Sequence, residues 1–191
     1  MIYLTADLHF FHKNILTLAH RPFETLEEMH TALIKNWNNT VSKKDTVYIL
    51  GDFSFGHHQQ IKEIVQQLNG RKVFILGNHD ENARKMLAAG FDDAYENHVV
   101  TLQGNQKTYK VFLSHYPYYP RFWDFVKAFF RGYKIDTRKM YKRIAHRKGW
   151  LLHGHVHGAW KVRGKQINCG VDVNNYTPIS EKEIINIIEG R

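Results

Sequence analysis

The sequence contains one cysteine, Cys169, and no long apolar run. A single cysteine excludes an internal disulfide framework and is typical of proteins kept in a reducing compartment. No stretch approaches the roughly 20 apolar residues that a membrane-spanning helix needs. Residues 1–4 open directly into a strand pattern, without the basic and apolar regions of a signal peptide. We therefore expect a cytoplasmic protein with no membrane partner.

Acidic residues are scarce relative to basic ones. The sequence has 18 Asp and Glu residues and 27 Lys and Arg residues, which gives a net charge of +9 with neutral histidines. A positive surface concentrates anions, so phosphate-bearing partners such as nucleotides or nucleic acid are expected, although the excess could also serve solubility alone. At 191 residues the chain suffices for one domain, or at most two small ones.

The first half of the chain alternates strand and helix patterns. The apolar spacing predicts three strands, at residues 2–6, 46–50 and 71–76, and three helices, at residues 25–38, 61–68 and 82–89. Thr25 and Glu28 are placed as a capping box for the first of these helices. This alternation favours a parallel sheet.

The second half of the chain reads differently. Hairpins are predicted at residues 99–113 and within 161–171, a strand at 150–152, a basic helix at 136–148, and a last helix at 180–188 that Ser180 and Glu183 cap. Mixed strand directions indicate two sheets packed against each other between helices. We expect one α/β domain that spans residues 1–191.

Polar residues that can bind metal follow five of the predicted strands. In α/β sheets, ligands gather beyond the carboxyl ends of strands, so these side chains could converge. Each one alone also fits a turn, a cap or a core histidine, but the joint pattern is difficult to explain in that way. The residues are Asp7 and His9, Asp52, Asn78 with His79 and Asp80, His115, and His153 with His155 and His157.

The donors in this set are nitrogen and oxygen atoms without a thiolate. Such donors suit Mn²⁺, Fe or Zn²⁺. Seven of these residues are candidate ligands, which is too many for one tetrahedral ion but suits two ions that share a carboxylate: Asp7, His9, Asp52, Asn78, His115, His155 and His157. Two ions about 3.5–4 Å apart can clamp the oxygens of a phosphoryl displacement and lower the pKa of a bound water. A basic chain with such a site points to phosphate ester hydrolysis.

The motifs D-x-H, G-D, G-N-H-D, S-H and G-H-x-H, in this order across residues 7–157, resemble those of the calcineurin-like metallophosphoesterase family. The chain is most similar to short, stand-alone members from bacteria and phages, which share stretches such as residues 12–15, 21–23 and 36–38. The resemblance implies an α/β fold in the form of a double β-sandwich flanked by helices, the αββα arrangement.

The resemblance also implies a dinuclear metal centre. Asp7, His9 and His157 would hold one ion, and Asp52 would bridge to the second. The ligands that complete the second site would be Asn78, His115 and His155. Mn²⁺ is favoured, with Fe, Zn²⁺ and Ni²⁺ left open, and a metal-activated water would attack phosphorus.

Two further residues receive catalytic roles from the resemblance. His79 would stabilise the developing charge or protonate the leaving oxygen. Asp80 would accept a hydrogen bond from His79 and fix its tautomer, although it could instead cap the helix that starts near Asn82. His153 adjoins the ligand pair and is expected to support the site or the fold rather than bind metal.

Substrate contacts are expected from the residues after the first motif. His12, Lys13, Asn14 and Arg21 are placed to touch a phosphate or its substituent, with an ordinary surface loop as the alternative. An insertion at residues 116–148 interleaves aromatic and basic residues, which is typical of a nucleotide or nucleic-acid platform, or of a packed mini-core or self-association surface.

We therefore predict a phosphodiesterase that hydrolyses a nucleotide, a cyclic nucleotide or a nucleic-acid phosphodiester. The alternatives are a phosphomonoesterase, including a protein phosphatase, and a non-catalytic binding protein on the same fold. The oligomeric state stays open.

Overall fold

The computed structural model describes residues 1–118 and 149–191. Its elements in chain order are β1 (Ile2–Thr5), α1 (Ile15–Leu18), α2 (Leu26–Thr40), β2 (Thr46–Leu50), α3 (His58–Gln67), β3 (Arg71–Ile75), α4 (Ala83–Ala88), β4 (Asp93–Tyr95), β5 (His98–Gln103), β6 (Thr108–Leu113), β7 (Trp150–His153), β8 (Val162–Arg163), β9 (Gln166–Asn168), β10 (Ile179–Ser180) and α5 (Glu181–Glu189). The helix predicted at 136–148 and nearly all of the insertion predicted at 116–148 lie outside the described residues.

The first sheet has the strand order β10-β1-β2-β3-β4. Strands β1 to β4 run parallel, and β10 is antiparallel to β1. The parallel arrangement predicted from the alternation of strands and helices is confirmed. Because parallel strands end at the same edge of a sheet, the segments that follow β1, β2 and β3 leave the sheet side by side.

The second sheet has the strand order β5-β6-β7-β9-β8. Both predicted hairpins are present as the antiparallel pairs β5–β6 and β8–β9. Strands β6, β7 and β9 pair in parallel, so their carboxyl ends also share one edge.

Two apolar cores hold the layers together. In one, Phe74 of β3 packs in a buried cluster with Trp37 of α2 and Ile64 of α3. In the other, the two sheets meet face to face through residues that are 0% exposed, such as Leu50 and Leu152. Full burial of side chains of this size contributes about 1.5–3 kcal/mol each. The α/β fold with two mixed sheets flanked by helices is therefore confirmed.

The capping box predicted from the sequence forms completely at α5 and only partly at α2. The Ser180 hydroxyl accepts from the Glu183 N–H, and the Glu183 carboxylate accepts from the Ser180 N–H, which completes the predicted capping box of α5. At α2, Thr25 Oγ1 accepts from the Glu28 N–H, but the Glu28 carboxylate accepts from the N–H of Glu24. The capping box of α2 is therefore only half formed.

Backbone pairing between the first two strands continues into the polar segments beyond them. The Asp7 N–H donates to the Gly51 carbonyl at 3.1 Å, and the His9 N–H donates to the Asp52 carbonyl at 3.0 Å. The two segments are therefore held in register by the same pattern that pairs the strands. Among the described helices, none combines the length and apolar character that crossing a membrane requires.

Candidate metal centre

Acidic and histidine side chains from distant parts of the chain converge where these strands end. The ligand atoms of Asp7, His9 and His157 all lie within 4.8 Å of one another, and those of Asp7, Asp52 and His115 form a second group of the same kind. Asp7, His9, Asp52 and His115 are buried, whereas His157 is half-buried. Two overlapping groups are the arrangement that a pair of ions would need.

Asp7 is common to the two groups, and Asp52, a member of the second, also faces the first. The Oδ2 atom of Asp52 is 3.6 Å from His9 Nε2, and its Oδ1 atom is 3.5 Å from His115 Nε2. Each carboxylate oxygen therefore faces a different group, which is the placement expected of a bridging ligand.

The remaining predicted ligands complete the second group. His115 Nε2 lies 3.1 Å from Asn78 Oδ1 and 3.2 Å from His155 Nδ1. The structure thus brings all seven predicted ligands together, although they come from five separate segments of the chain.

Hydrogen bonds orient the histidine rings. His115 Nδ1 lies 2.8 Å from the Leu50 carbonyl, an acceptor, so this nitrogen carries the proton and Nε2 presents a lone pair to the cluster. His157 Nδ1 is paired in the same way with Asp172 Oδ2 at 2.8 Å. Both tautomers follow from these partners and are the ones that metal binding through Nε2 requires.

His9 provides the test of whether this donor set suits metal ions. Its Nε2 atom is buried and has no hydrogen-bond partner within residues 1–118 and 149–191. A buried polar atom without a partner is costly, and a cation would satisfy it. Because imidazole and carboxylate donors suit Mn²⁺, Fe, Zn²⁺ and Ni²⁺ alike, the residues fit divalent ions without selecting one.

Five of the seven predicted ligands have left-handed backbone conformations. The φ angles are 56° for Asp7, 54° for His9, 52° for Asp52, 72° for His155 and 47° for His157. This region costs residues other than glycine about 1–2 kcal/mol each. Observed strain of this kind is typical of functional sites, where the surrounding structure maintains it.

Glycine is required where the motifs approach one another. A Cβ atom on Gly77 would lie 2.5 Å from Asp52 Oδ1 and 2.8 Å from Asp80 Oδ2. Gly51 has a φ of +83°, and a Cβ there would lie 2.5 Å from His115 Nδ1. These glycines of the G-D and G-N-H-D motifs therefore permit the close contact between the ends of β2 and β3, where Asp52 Oδ1 accepts from the backbone N–H of His79.

Burial disfavours charge at the cluster. It raises the pKa of Asp7 to about 7, and it also raises the pKa of Asp52. Burial lowers the pKa of His9 well below its ordinary value. Divalent cations would reverse the effect on the two carboxyl groups, so metal binding is expected to release protons.

Asp172 is a supporting residue that the sequence analysis missed. Besides pairing with His157, it accepts hydrogen bonds from Arg21 at 2.8 Å (Nε to Oδ1) and 3.1 Å (Nη2 to Oδ2). Burial alone would raise its pKa, but the hydrogen bonds from His157 and Arg21 hold it below the ordinary value. Asp172 lies four positions after the end of β9, just as the predicted ligands lie shortly after other strands. This position is the feature of the sequence that could have indicated it.

The prediction that Arg21 binds substrate is wrong. Its side chain is 0% exposed. Besides the two bonds to Asp172, Nη1 donates to the Leu8 carbonyl at 2.9 Å and Nη2 to the Asp7 carbonyl at 2.6 Å. The guanidinium therefore anchors the backbone of the D-x-H motif.

The role predicted for Asp80 also needs correction. Its Oδ2 atom accepts from the N–H groups of Asp52 at 2.7 Å and Gly77 at 2.8 Å, and Oδ1 accepts from the Phe53 N–H at 2.9 Å. Within the described part of the chain, none of its hydrogen bonds comes from the His79 ring. Burial, followed by repulsion from Asp52, raises its pKa to about 7. Asp80 therefore joins the ends of β2 and β3.

The capping alternative for Asp80 is wrong as well. The residue that caps α4 is Asn82, whose Oδ1 accepts from the Lys85 N–H at 3.1 Å.

A cavity of about 300 Å³ opens onto the cluster. Its lining residues are His9, His12, Ile15, Leu18, Ala19, Asp52, Asn78, His79, His155 and His157. His79 is exposed, and its N–H donates to Asp52 Oδ1 at 3.2 Å. Its imidazole is therefore available to a ligand in the cavity.

The other candidate residues differ in their position relative to the cavity. His12 lines the cavity, and its Nδ1 lies 3.3 Å from His9 Nδ1. Lys13 and Asn14 are exposed and are not among the lining residues, so their contact with substrate stays a prediction. His153 is buried, lies 2.7 Å through Nδ1 from the Gly154 carbonyl, and packs against Trp160.

The fold and this cluster together define a phosphoesterase of the metal-dependent type. The calcineurin-like phosphoesterase superfamily domain matches residues 1–172, and the chain belongs to this family. The resemblance inferred from the five motifs is thereby confirmed.

The chain is similar to proteins from Methanocaldococcus jannaschii, a mycobacterial phage and Aquifex aeolicus. It is 35% identical to the uncharacterized protein MJ1445 of Methanocaldococcus jannaschii, over 98% of this chain and 91% of that protein. It is 30% identical to the gene 66 protein of Mycobacterium phage L5, over 97% of this chain and 93% of the phage protein. Among solved structures it is similar to AQ665 of Aquifex aeolicus, a protein of unknown function, with 29% identity, a TM-score of 0.65 and 98% coverage of both chains.

Proposed function

We propose that this protein is a dinuclear phosphodiesterase that hydrolyses a nucleotide, a cyclic nucleotide or a nucleic-acid phosphodiester, with Mn²⁺ as the favoured ion. The observation that carries the preference for diesters is the charge of the cavity. Within residues 1–118 and 149–191, its lining includes no lysine or arginine.

The charge of the substrate explains why this matters. A phosphomonoester carries a charge of about −1.5 to −2 at pH 7, whereas a diester carries a single negative charge. Sites for highly charged phosphates commonly supply arginine forks, but here Arg21 is committed to Asp172 and to backbone carbonyls. The cavity therefore suits the less charged ester.

Two bound divalent ions would lower the pKa of a water molecule and neutralise charge on the phosphoryl oxygens. Neighbouring groups in the fold orient the residues predicted to bind these ions. Asp52 faces both ligand groups, while the Leu50 carbonyl and Asp172 fix the tautomers of His115 and His157. His79, which is exposed and lines the cavity, would protonate the leaving oxygen.

The test compares bis(p-nitrophenyl) phosphate with p-nitrophenyl phosphate. The protein is stripped of metal and refilled with Mn²⁺, and parallel samples are refilled with Fe²⁺, Zn²⁺ or Ni²⁺. We expect faster turnover of the diester, only with metal, and a loss of about 10²-fold or more in kcat for His79→Ala. His58→Ala is the matched control, because His58 is exposed at the start of α3 and should leave kcat unchanged.

Faster turnover of the monoester would overturn the assigned substrate class. Metal binding without turnover of either ester would support the non-catalytic alternative.

A further inference from the structure

Part of the lining of the cavity is apolar, although predicted metal ligands line the same cavity. This apolar part, which we call the apolar wall, consists of Ile15, Leu18 and Ala19. Ile15 is 2% exposed and anchors α1 in the core, whereas Leu18 is 69% exposed. The Leu18 side chain therefore contributes little to the packing of the core.

Isolated exposed leucines are common and need no explanation. Leu18 differs because a second exposed apolar residue adjoins the same cavity. Phe55 is 41% exposed, and its ring stacks on His12 with 4.0 Å between centroids. It also lies 4.8 Å from the ring of His79. Apolar surface therefore borders the cavity at both α1 and Phe55.

The position of the wall determines what it can contact. A phosphate held by the predicted metal ligands would occupy the part of the cavity that His9, Asp52 and Asn78 line, and the whole cavity measures about 300 Å³. This volume is at the lower end of the range for small-molecule sites, so the rest of the ester has little space away from α1. The substituent on phosphorus would then lie against Leu18.

We propose that the apolar wall binds the organic substituent of the phosphate ester and selects a compact apolar group, such as an aryl or nucleobase ring, over a small or polar one. This inference rests on the proposed function, because it assumes that the phosphate occupies the metal centre. Leu18 is then a specificity-determining residue, since contact with an apolar ring removes its exposed surface from water.

The test measures binding and does not need turnover. The Mn²⁺-loaded protein is titrated with phenylphosphonate and with methylphosphonate in a calorimeter. The two probes share the phosphonate group and differ in their apolar surface. We expect phenylphosphonate to bind about tenfold more tightly, and Leu18→Ser to reduce this ratio to about twofold. Leu18→Met should preserve most of the preference.

Leu87→Ser is the matched control. Leu87 is a leucine of α4 that is 45% exposed and does not line the cavity, so its replacement should leave the ratio unchanged. Thermal unfolding of each variant checks that the fold is intact.

Equal binding of the two phosphonates to the natural sequence would overturn the proposal, and so would an unchanged ratio in Leu18→Ser. The outcome is separable from that of the proposed function. A chain that hydrolyses diesters but binds both phosphonates equally refutes only the role of the wall. A chain that prefers phenylphosphonate without hydrolysing diesters retains the wall and refutes the phosphodiesterase.

Discussion

Replacement of Asp80 by asparagine tests how the ends of β2 and β3 are joined. The carboxylate of Asp80 accepts hydrogen bonds from the N–H groups of Asp52, Phe53 and Gly77. Asparagine has the same shape but only one acceptor oxygen. If that oxygen takes the place of Oδ2, it keeps two bonds and turns the amide NH₂ towards the Phe53 N–H.

The size of the effect follows from this geometry. A partly buried N–H without an acceptor costs about 1–3 kcal/mol. Burial raises the pKa of the Asp80 carboxyl group to about 7, so the charged form is disfavoured in the fold. Removal of this charge by the substitution therefore offsets part of that cost. We expect a net loss of about 1–2 kcal/mol in the free energy of unfolding, or about 2–8 °C in Tm for a chain of this size.

Metal affinity should fall together with stability. Asp80 accepts a hydrogen bond from the backbone of Asp52, so it positions a predicted ligand without binding metal itself. Substitutions of such residues typically lower the metal affinity by about 10–100-fold. The measurements are urea unfolding of the metal-free protein and Mn²⁺ titration. Glu81→Gln is the control, since the exposed pair of Glu81 with Lys85 contributes less than about 1 kcal/mol.

One result would refute this reasoning. If Asp80→Asn kept the stability and the metal affinity of the natural sequence but lost turnover as His79→Ala does, Asp80 would act on His79 after all.

Two other substitutions probe the buried charges. Arg21→Ala should lower the free energy of unfolding by about 3–5 kcal/mol, because the buried charge of Asp172 loses its guanidinium partner and the Asp7 and Leu8 carbonyls lose their donor. Arg71→Ala, which removes an exposed pair with Asp93, should cost less than about 1 kcal/mol, and equal losses would contradict the role given to Arg21. Burial raises the pKa of Asp7 to about 7, so this group stabilises the metal-free fold fully below about pH 4, and the contribution is lost as the pH rises to 7. The stability of Asp7→Asn relative to the natural sequence, measured by urea unfolding with a chelator, should therefore rise by about 2–3 kcal/mol from pH 5 to pH 8, and a difference that is the same at both pH values would argue against a raised pKa.

Much of the architecture was readable from local patterns. The alternation of strands and helices predicted the parallel strands of the first sheet, and both hairpins of the second sheet lie where turn residues placed them. These elements depend on near neighbours: side-chain periodicity selects helix or strand, and glycine or asparagine terminates them. The half-formed capping box at Thr25 shows the limit, because Glu28 had another N–H within reach.

The grouping of the predicted ligands was also readable from the sequence. Parallel strands end at a common edge, so polar residues after strand upon strand were expected to meet, and the structure brings Asp7, Asp52, Asn78 and His115 together there. The motif order then indicated the family, and the match over residues 1–172 confirms it.

The sequence alone thus determined the secondary structure pattern, the family and the edge of the sheet where the polar residues collect. Only the tertiary structure decided which way the charged side chains near the motifs point. Arg21 turns inward because Asp172, 151 residues further along the chain, arrives beside it on the segment after β9. Asp80 turns towards β2 because three backbone N–H groups converge there. The direction of a loop side chain depends on hydrogen-bond partners that distant segments supply, and local sequence carries no information about those partners.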